Sequence, residues 1–187
     1  MAQSVAIIDG FAEGKWHHKI LNEALMGAGY TIERDARKAD IIIAHSAGCF
    51  FLPANFTDKK VLLIGPPFWP SKPLAVSMMQ KIWRDFIAQI RKGNAGYWFL
   101  KTFWNIVYAL SDIVHSMQIG RHARRQRFYE ALQDSEVMLV RNQDDAWCTP
   151  DIESLLSGKA KIKYTQLPGE HDDCWTNPAP YIQLLKD

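Results

Sequence analysis

The sequence has little of what would mark a disulfide-stapled, nucleic-acid-binding or exported protein. It contains only three cysteines, which cannot all pair with one another and show no C-x-x-C spacing. Its 22 basic and 20 acidic residues leave a formal charge of +2, so no nucleic-acid partner is expected on electrostatic grounds. The N-terminal residues lack a basic region before a short apolar run, which predicts a core strand and not a signal peptide. We therefore expect a reducing, cytoplasmic location, with the thiols acting as small hydrophobic groups.

A chain of 187 residues that is 48% hydrophobic predicts one domain with a substantial core. Short β-branched runs alternate with helical patterns, which predicts a three-layer α/β/α sandwich around a mainly parallel sheet of about six strands. The first helix is predicted from about Trp16 to Met26, where apolar residues recur at helical spacing. The predicted strands are, in chain order, Val5–Ile8, Tyr30–Ile32, Asp40–Ala44, Val61–Ile64, Glu136–Val140 and Ala160–Tyr164.

The alternation of strands and helices is interrupted at about 72–130, where the apolar spacing is helical. We interpret this stretch as a helical cap, or lid, inserted into the single domain 1–187. Its segment Tyr97–Met117 is nearly long and apolar enough to span a membrane, but it contains Lys101 and Asp112, and charges are costly at the bilayer centre. An amphipathic lid helix is therefore predicted. Peripheral contact with a lipid surface and pairing with a second copy in a homodimer both stay open.

The strongest local motif is Ala44-His45-Ser46-Ala47-Gly48, which follows directly on a continuously apolar strand. Small residues on both sides of the serine allow a strand and a following helix to pass closely while the serine adopts a strained backbone conformation. The same residues would also fit a strand that ends in a polar turn, so the chemistry depends on partners elsewhere in the chain. A nucleophilic serine needs a general base, and the base needs a carboxylate that holds it in one tautomer.

Two later loops carry residues of these types, and each loop follows a predicted strand. The loop after the fifth strand contains the adjacent carboxylates Asp144 and Asp145. The loop after the sixth strand contains Gly169-Glu170-His171.

The order of these features, with serine first, then acid, then histidine, resembles that of the α/β-hydrolase family, and the Ser46 turn resembles its nucleophile elbow. The resemblance covers nearly the whole chain and implies that Ser46 is the nucleophile and His171 the base. In the family's acid loop a turn residue precedes the acid by three. With Asn142 at the turn, that spacing implies Asp145 as the acid, and Asp144 is the competing choice.

The resemblance also implies two backbone N–H donors for the oxyanion, assigned to Ala47 and to Phe11 in the loop after the first strand. The implied function is cleavage of a small or apolar carboxylic ester through an acyl-enzyme intermediate. The expected partner is a small-molecule, ester-like substrate, and neither a cofactor nor a metal is expected. Amide, thioester or peptide substrates, and a non-catalytic binding module with the same fold, are the alternatives.

Three other features are assigned no part in this chemistry. The basic cluster at 121–127 is interpreted as a solvated helix face, with binding of a substrate carboxylate or a lipid phosphate as the alternative. The run His171-Asp172-Asp173-Cys174 contains possible metal ligands, but no second cluster has metal-ligand spacing. Cys49 lies close to the elbow and is expected to be buried.

Overall fold

A computed structural model describes residues 2–10, 18–53, 56–67, 82–84, 86–87, 89–111, 137–145, 147–148, 150, 152–153 and 162–186. Six parallel strands form one sheet in the order β2-β1-β3-β4-β5-β6, which confirms the predicted parallel sheet. The strands are β1 Ser4–Ile8, β2 Thr31–Ile32, β3 Ile41–His45, β4 Lys60–Ile64, β5 Val137–Asn142 and β6 Ile162–Leu167.

The sheet is covered on both faces, as an α/β sandwich requires. Alternate residues of β3 point to opposite sides because side chains alternate along a strand. Ile42 and Ala44 pack in one apolar cluster together with Cys148 and Ile152. Ile41 and Ile43 pack in the other cluster, which includes side chains of the first helix and of the C-terminal helices. All five residues of β3 are buried, so this central strand holds the segment that follows it in a fixed place.

The helices whose bounds the structure describes are α1 His18–Gly27, α2 Ala95–Ser111, α3 Asp173–Thr176 and α4 Ala179–Leu184, with 3-10 helices at Ser46–Phe51 and Phe56–Asp58. Helix α1 buries Leu21 and Leu25, at the spacing of one helical face. Its predicted first residues, 16 and 17, lie outside the described residues. The segment that begins at Ser46 is a 3-10 helix over its first six residues.

The segment 72–130, which we call the cap segment, is described in part. Helical backbone occurs at 82–84, 86–87 and 89–91 and in α2. The ring of Phe86 lies 4.8 Å from that of Trp98, centroid to centroid, so the earlier helical piece contacts α2. The interpretation of this segment as a lid stays a prediction.

None of the helices in the described parts of the chain could cross a membrane. Helix α2, with 17 residues, is about 25 Å long, whereas the hydrocarbon core is about 30 Å thick. The rest of the apolar segment considered above, 112–117, lies outside the described residues.

In this strand order, the direction in which the chain moves across the sheet reverses between β1 and β3. From β1 the chain moves outward to β2, then returns to β3 on the other side and proceeds towards β6. In open parallel sheets the crevice at the carboxyl ends of the strands at such a reversal is where ligands bind. The turn containing Ser46 begins at the carboxyl end of β3.

Candidate active site

Ser46 has the backbone conformation that a nucleophile elbow requires. Its φ angle is 51°, in the left-handed region, and it is the one non-glycine residue with positive φ among those that the structure describes. Such a conformation is unfavourable for a residue with a Cβ atom and persists only where the surrounding structure enforces it. Here β3 is paired on both sides, with β1 and β4, up to the serine. The strained turn projects from a rigid sheet edge, and Ser46 is 8% exposed.

Gly48 shows why the elbow needs a small residue two positions after the serine. A Cβ atom at Gly48 would overlap the backbone carbonyl oxygens of Ile8 and Asp9, at the end of β1. The elbow therefore packs directly on the backbone of the loop after β1. This is the loop in which the second oxyanion donor is predicted, but Phe11 itself lies outside the described residues. Ala47, the other predicted donor, is buried beside the serine.

Asp145 and His171 form a buried hydrogen-bonded pair. The Nδ1 atom of His171 lies 2.8 Å from Oδ2 of Asp145, and the two side chains are 9% and 0% exposed. The other carboxylate oxygen, Oδ1, accepts the backbone N–H groups of Trp147 at 2.7 Å and Cys148 at 3.0 Å. Asp144 is exposed, and its backbone N–H donates to the carbonyl oxygen of Gly169. The structure thus brings Asp145, and not its neighbour, into contact with the histidine.

The acid loop and the histidine loop are joined by several hydrogen bonds. The side chain of Asn142 donates to the carbonyl oxygen of Glu170 and accepts the hydroxyl of Tyr181 at 2.8 Å. Its own carbonyl accepts the N–H of Asp145 at 3.1 Å, which closes the predicted turn. Arg141, 5% exposed, donates from Nε to the carbonyl oxygen of Cys148 at 2.8 Å. These bonds fix the backbone on both sides of the Asp145–His171 pair.

His45, directly before the serine, connects the elbow to the histidine loop. It is fully buried, and its Nε2–H donates to the carbonyl oxygen of His171 at 2.9 Å. The rings of the two histidines are 4.7 Å apart, and the ring of Trp175 lies 5.0 Å from His45. No hydrogen bond joins the Ser46 hydroxyl to His171 within the described parts of the chain. Such bonds are often long in unliganded enzymes and tighten when substrate binds.

The electrostatics favour an ionised Asp145. Burial acts to raise the pKa of this carboxyl, but the charge of His171 and the hydrogen bonds from His171, Cys148 and Trp147 outweigh it, so the net pKa is lowered. A lowered folded-state pKa stabilises the fold above the unfolded carboxyl pKa, about 3.9, and this stabilisation is lost as pH falls through the folded value. Burial also raises the pKa of the Cys148 thiol strongly, so this cysteine stays protonated.

All three cysteines are buried, as expected for Cys49. Among the residues that the structure describes, one group of side chains could approach a metal ion: potential ligand atoms of His45, His171 and Asp172 lie within 4.8 Å of one another. In this group His171 pairs with Asp145, and His45 binds the carbonyl of His171. An ion here would have to compete with the hydrogen bonds that position the histidine.

Sequence reasoning did not identify Gly65 as a residue of the site. It follows β4 with φ 55°, and a Cβ atom there would lie 2.6 Å from Oδ2 of Asp145 and 3.0 Å from Nδ1 of His171. The glycine therefore leaves room for the Asp145–His171 hydrogen bond. A Gly-Pro-Pro sequence directly after a buried strand by itself indicates only that the strand ends there.

We expect Gly65→Ala to lower kcat by about 100-fold if this pair is catalytic, because the new methyl group would displace the carboxylate and the imidazole by about 1 Å. Gly29→Ala is the matched control, since Gly29 also has a positive φ, 92°, but has no atom within 4 Å of its Cβ position. Both variants should lower the melting temperature through backbone strain, but only Gly65→Ala should lower kcat in an ester hydrolysis assay. Equal effects on kcat would contradict this role of Gly65.

Comparison with known proteins gives matches in structure alone. No protein-family model matches the chain, and no curated protein matches its sequence. A hydrolase from Oleispira antarctica is similar with a TM-score of 0.67 and 11% identity, over 100% of this chain and 92% of that chain. One of the carboxylesterases of Nitrososphaera gargenis gives a TM-score of 0.64 and 13% identity, over 99% and 89%. A thioesterase domain from the curacin biosynthetic pathway gives 0.65 and 13%, over 100% and 92%.

Proposed function

Because the chain has the α/β-hydrolase fold, we infer that it is a serine hydrolase that cleaves a small or apolar carboxylic ester through an acyl-enzyme intermediate. The observation that carries the proposal is the hydrogen bond between His171 and Asp145 at the same sheet edge at which Ser46 has a left-handed backbone. A strained serine without an acid–histidine pair, or such a pair without the serine, could be explained by the needs of the fold alone. Their occurrence together after β3, β5 and β6 is what a Ser-His-Asp mechanism needs.

In this mechanism the Ser46 hydroxyl attacks the ester carbonyl carbon while its proton passes to Nε2 of His171. The tetrahedral intermediate collapses, the C–O bond to the alcohol breaks, and His171 returns the proton to the departing alkoxide. Water then attacks the acyl-enzyme, again losing its proton to His171, and the acid product leaves as Ser46 recovers its proton. Asp145 keeps Nδ1 protonated and stabilises the imidazolium. The negative oxygen would be held by the backbone N–H of Ala47 and by the predicted donor Phe11.

An ester is the substrate class that we favour. The similar structures include a carboxylesterase and a thioesterase domain, whose names describe acyl transfer to water from oxygen and sulfur esters. Amides, thioesters and peptides pass through the same kind of tetrahedral intermediate, so the same residues would serve them. The binding-module alternative keeps the fold but not the activation of Ser46.

The proposal is tested by labelling the folded protein with a fluorophosphonate probe and mapping the modified peptide. We expect a single adduct on Ser46, because only an activated serine reacts with this phosphorus electrophile. Ser46→Ala and His171→Ala should both abolish labelling, and heat-denatured protein should remain unlabelled. Folded protein that gives no adduct would favour the binding module, and an adduct on another serine would show that the nucleophile is misassigned.

A further inference from the structure

Helix α2 exposes a continuous apolar stripe. Phe99, Phe103, Ile106 and Leu110 are 59%, 56%, 54% and 66% exposed, and their spacing of four, three and four residues places them on one face. We call these four residues the outer stripe. Leu100 and Trp104 extend it on one side and are 57% and 47% exposed.

The outer stripe is more than half exposed along its length, and at its first residue the ring of Phe99 lies 5.8 Å from that of Phe86. Half-buried side chains of this helix include Trp98 and Thr102, and Trp98 contacts Phe86 of the preceding helical piece. The helix thus has a packed side and, in addition, an apolar side turned to solvent. A contiguous exposed apolar surface of this kind usually marks a contact with another apolar phase or molecule.

The charge of the cap segment indicates what the stripe contacts. Residues 72–130 contain ten Lys and Arg against three Asp and Glu, whereas the rest of the chain contains twelve against 17. The net charge of +2 is therefore the sum of +7 in the cap segment and −5 in the rest of the chain. Arg84 and Arg91 are exposed on the helical backbone that precedes α2, and Lys92, in the turn after it, is exposed and pairs with Glu170 at 3.0 Å.

We propose that the cap segment docks on an anionic lipid surface, with the outer stripe inserted at the level of the headgroups. Aromatic and branched apolar side chains on one helix face, together with a surplus of basic residues in the same segment of the sequence, are the combination that holds helices in the plane of a membrane. Basic residues then attract the anionic headgroups, and the stripe leaves water. This docking does not depend on the proposed ester hydrolysis.

A second copy of the chain suits the stripe less well. The stripe spans twelve residues of one helix face, and its four side chains, each a little more than half exposed, offer together about 450 Å² of accessible surface. A stable protein interface needs about 800 Å² from each partner. Pairing two cap segments would also bring two insertions of like charge together, whereas an anionic surface neutralises them.

The test is co-sedimentation of the full chain with phosphatidylcholine vesicles, with and without about 30% phosphatidylserine. We expect partitioning to be about tenfold stronger with the anionic lipid and to weaken when NaCl is raised from about 0.1 to about 0.5 M. The double variant Phe103→Glu/Ile106→Glu should lose binding by at least about tenfold. Ser46→Ala should bind like the wild type, so this test is independent of the proposed reaction.

The matched control is Ile20→Glu/Met26→Glu, which adds the same two charges at apolar residues that are 49% and 54% exposed on α1. It should keep most of the vesicle binding, and circular dichroism should show both double variants folded. Equal binding to neutral and anionic vesicles, or equal loss in the two double variants, would overturn the proposal. The proposal would also be overturned if the wild type did not bind vesicles but formed a dimer by light scattering, and if Phe103→Glu/Ile106→Glu were monomeric.

Discussion

Replacing Ser46 by alanine is expected to lower kcat for a p-nitrophenyl ester by about 10⁵-fold or more. The reason is that, among the residues that the structure describes, no other nucleophile is positioned to take its place: Cys49 is fully buried and its Sγ atom donates to the carbonyl oxygen of Ala44. Residual turnover should remain above the uncatalysed rate, because the proposed oxyanion donors and the binding site are untouched. The measurement is initial-rate kinetics on purified wild type and variant.

Thr57→Ala is a suitable control for the Ser46 variant, since it removes an exposed hydroxyl in the Phe56–Asp58 3-10 helix. It should leave kcat and KM within a factor of about two. Both variants should unfold at temperatures close to that of the wild type, because neither side chain fills the core. Turnover by Ser46→Ala at the wild-type rate would refute the nucleophile assignment whatever the behaviour of the control.

Asp145→Asn is expected to lower kcat by about 10⁴-fold while leaving KM nearly unchanged, by analogy with the same change in a serine-protease triad. Oδ1 of Asp145 accepts two backbone N–H groups, from Trp147 and Cys148. In the asparagine variant the amide oxygen must therefore take that position, and the NH₂ group faces Nδ1 of His171. The imidazole is then forced to carry its proton on Nε2, where it can no longer accept the proton of Ser46.

Asp144→Asn provides the matched comparison, because it makes the same substitution at the adjacent, exposed carboxylate. Its kcat should stay within about twofold of the wild type, since its side chain is solvated. A large loss in Asp144→Asn together with an active Asp145→Asn would reverse the assignment of the acid. The wild-type activity should not change near neutral pH through titration of Asp145, because its pKa is lowered from an already acidic value.

Much of the fold could be predicted from local patterns. Each of the six predicted strands is present, because a run of β-branched and aliphatic residues between turn residues has few other stable conformations. The ends were less well predicted: β5 and β6 continue to Asn142 and Leu167, two and three residues beyond their predicted ends. Those extra residues pair with each other across the ladder, Arg141 with Gln166 and Asn142 with Leu167. The sequence of either segment alone does not show how far it pairs with a strand that is distant in the chain.

By itself, the sequence determined where a strained serine turn would fall. A buried strand followed by small residues around Ser46 predicted this turn, and the structure shows that Gly48 is required by the backbone of Ile8 and Asp9. Only the tertiary structure decided which carboxylate meets His171. Asp144 and Asp145 are chemically identical neighbours, and the turn closed by Asn142 points one to solvent and the other inward. The contributions of His45 and Gly65 likewise depend on contacts across the sheet edge, which chain spacing does not encode.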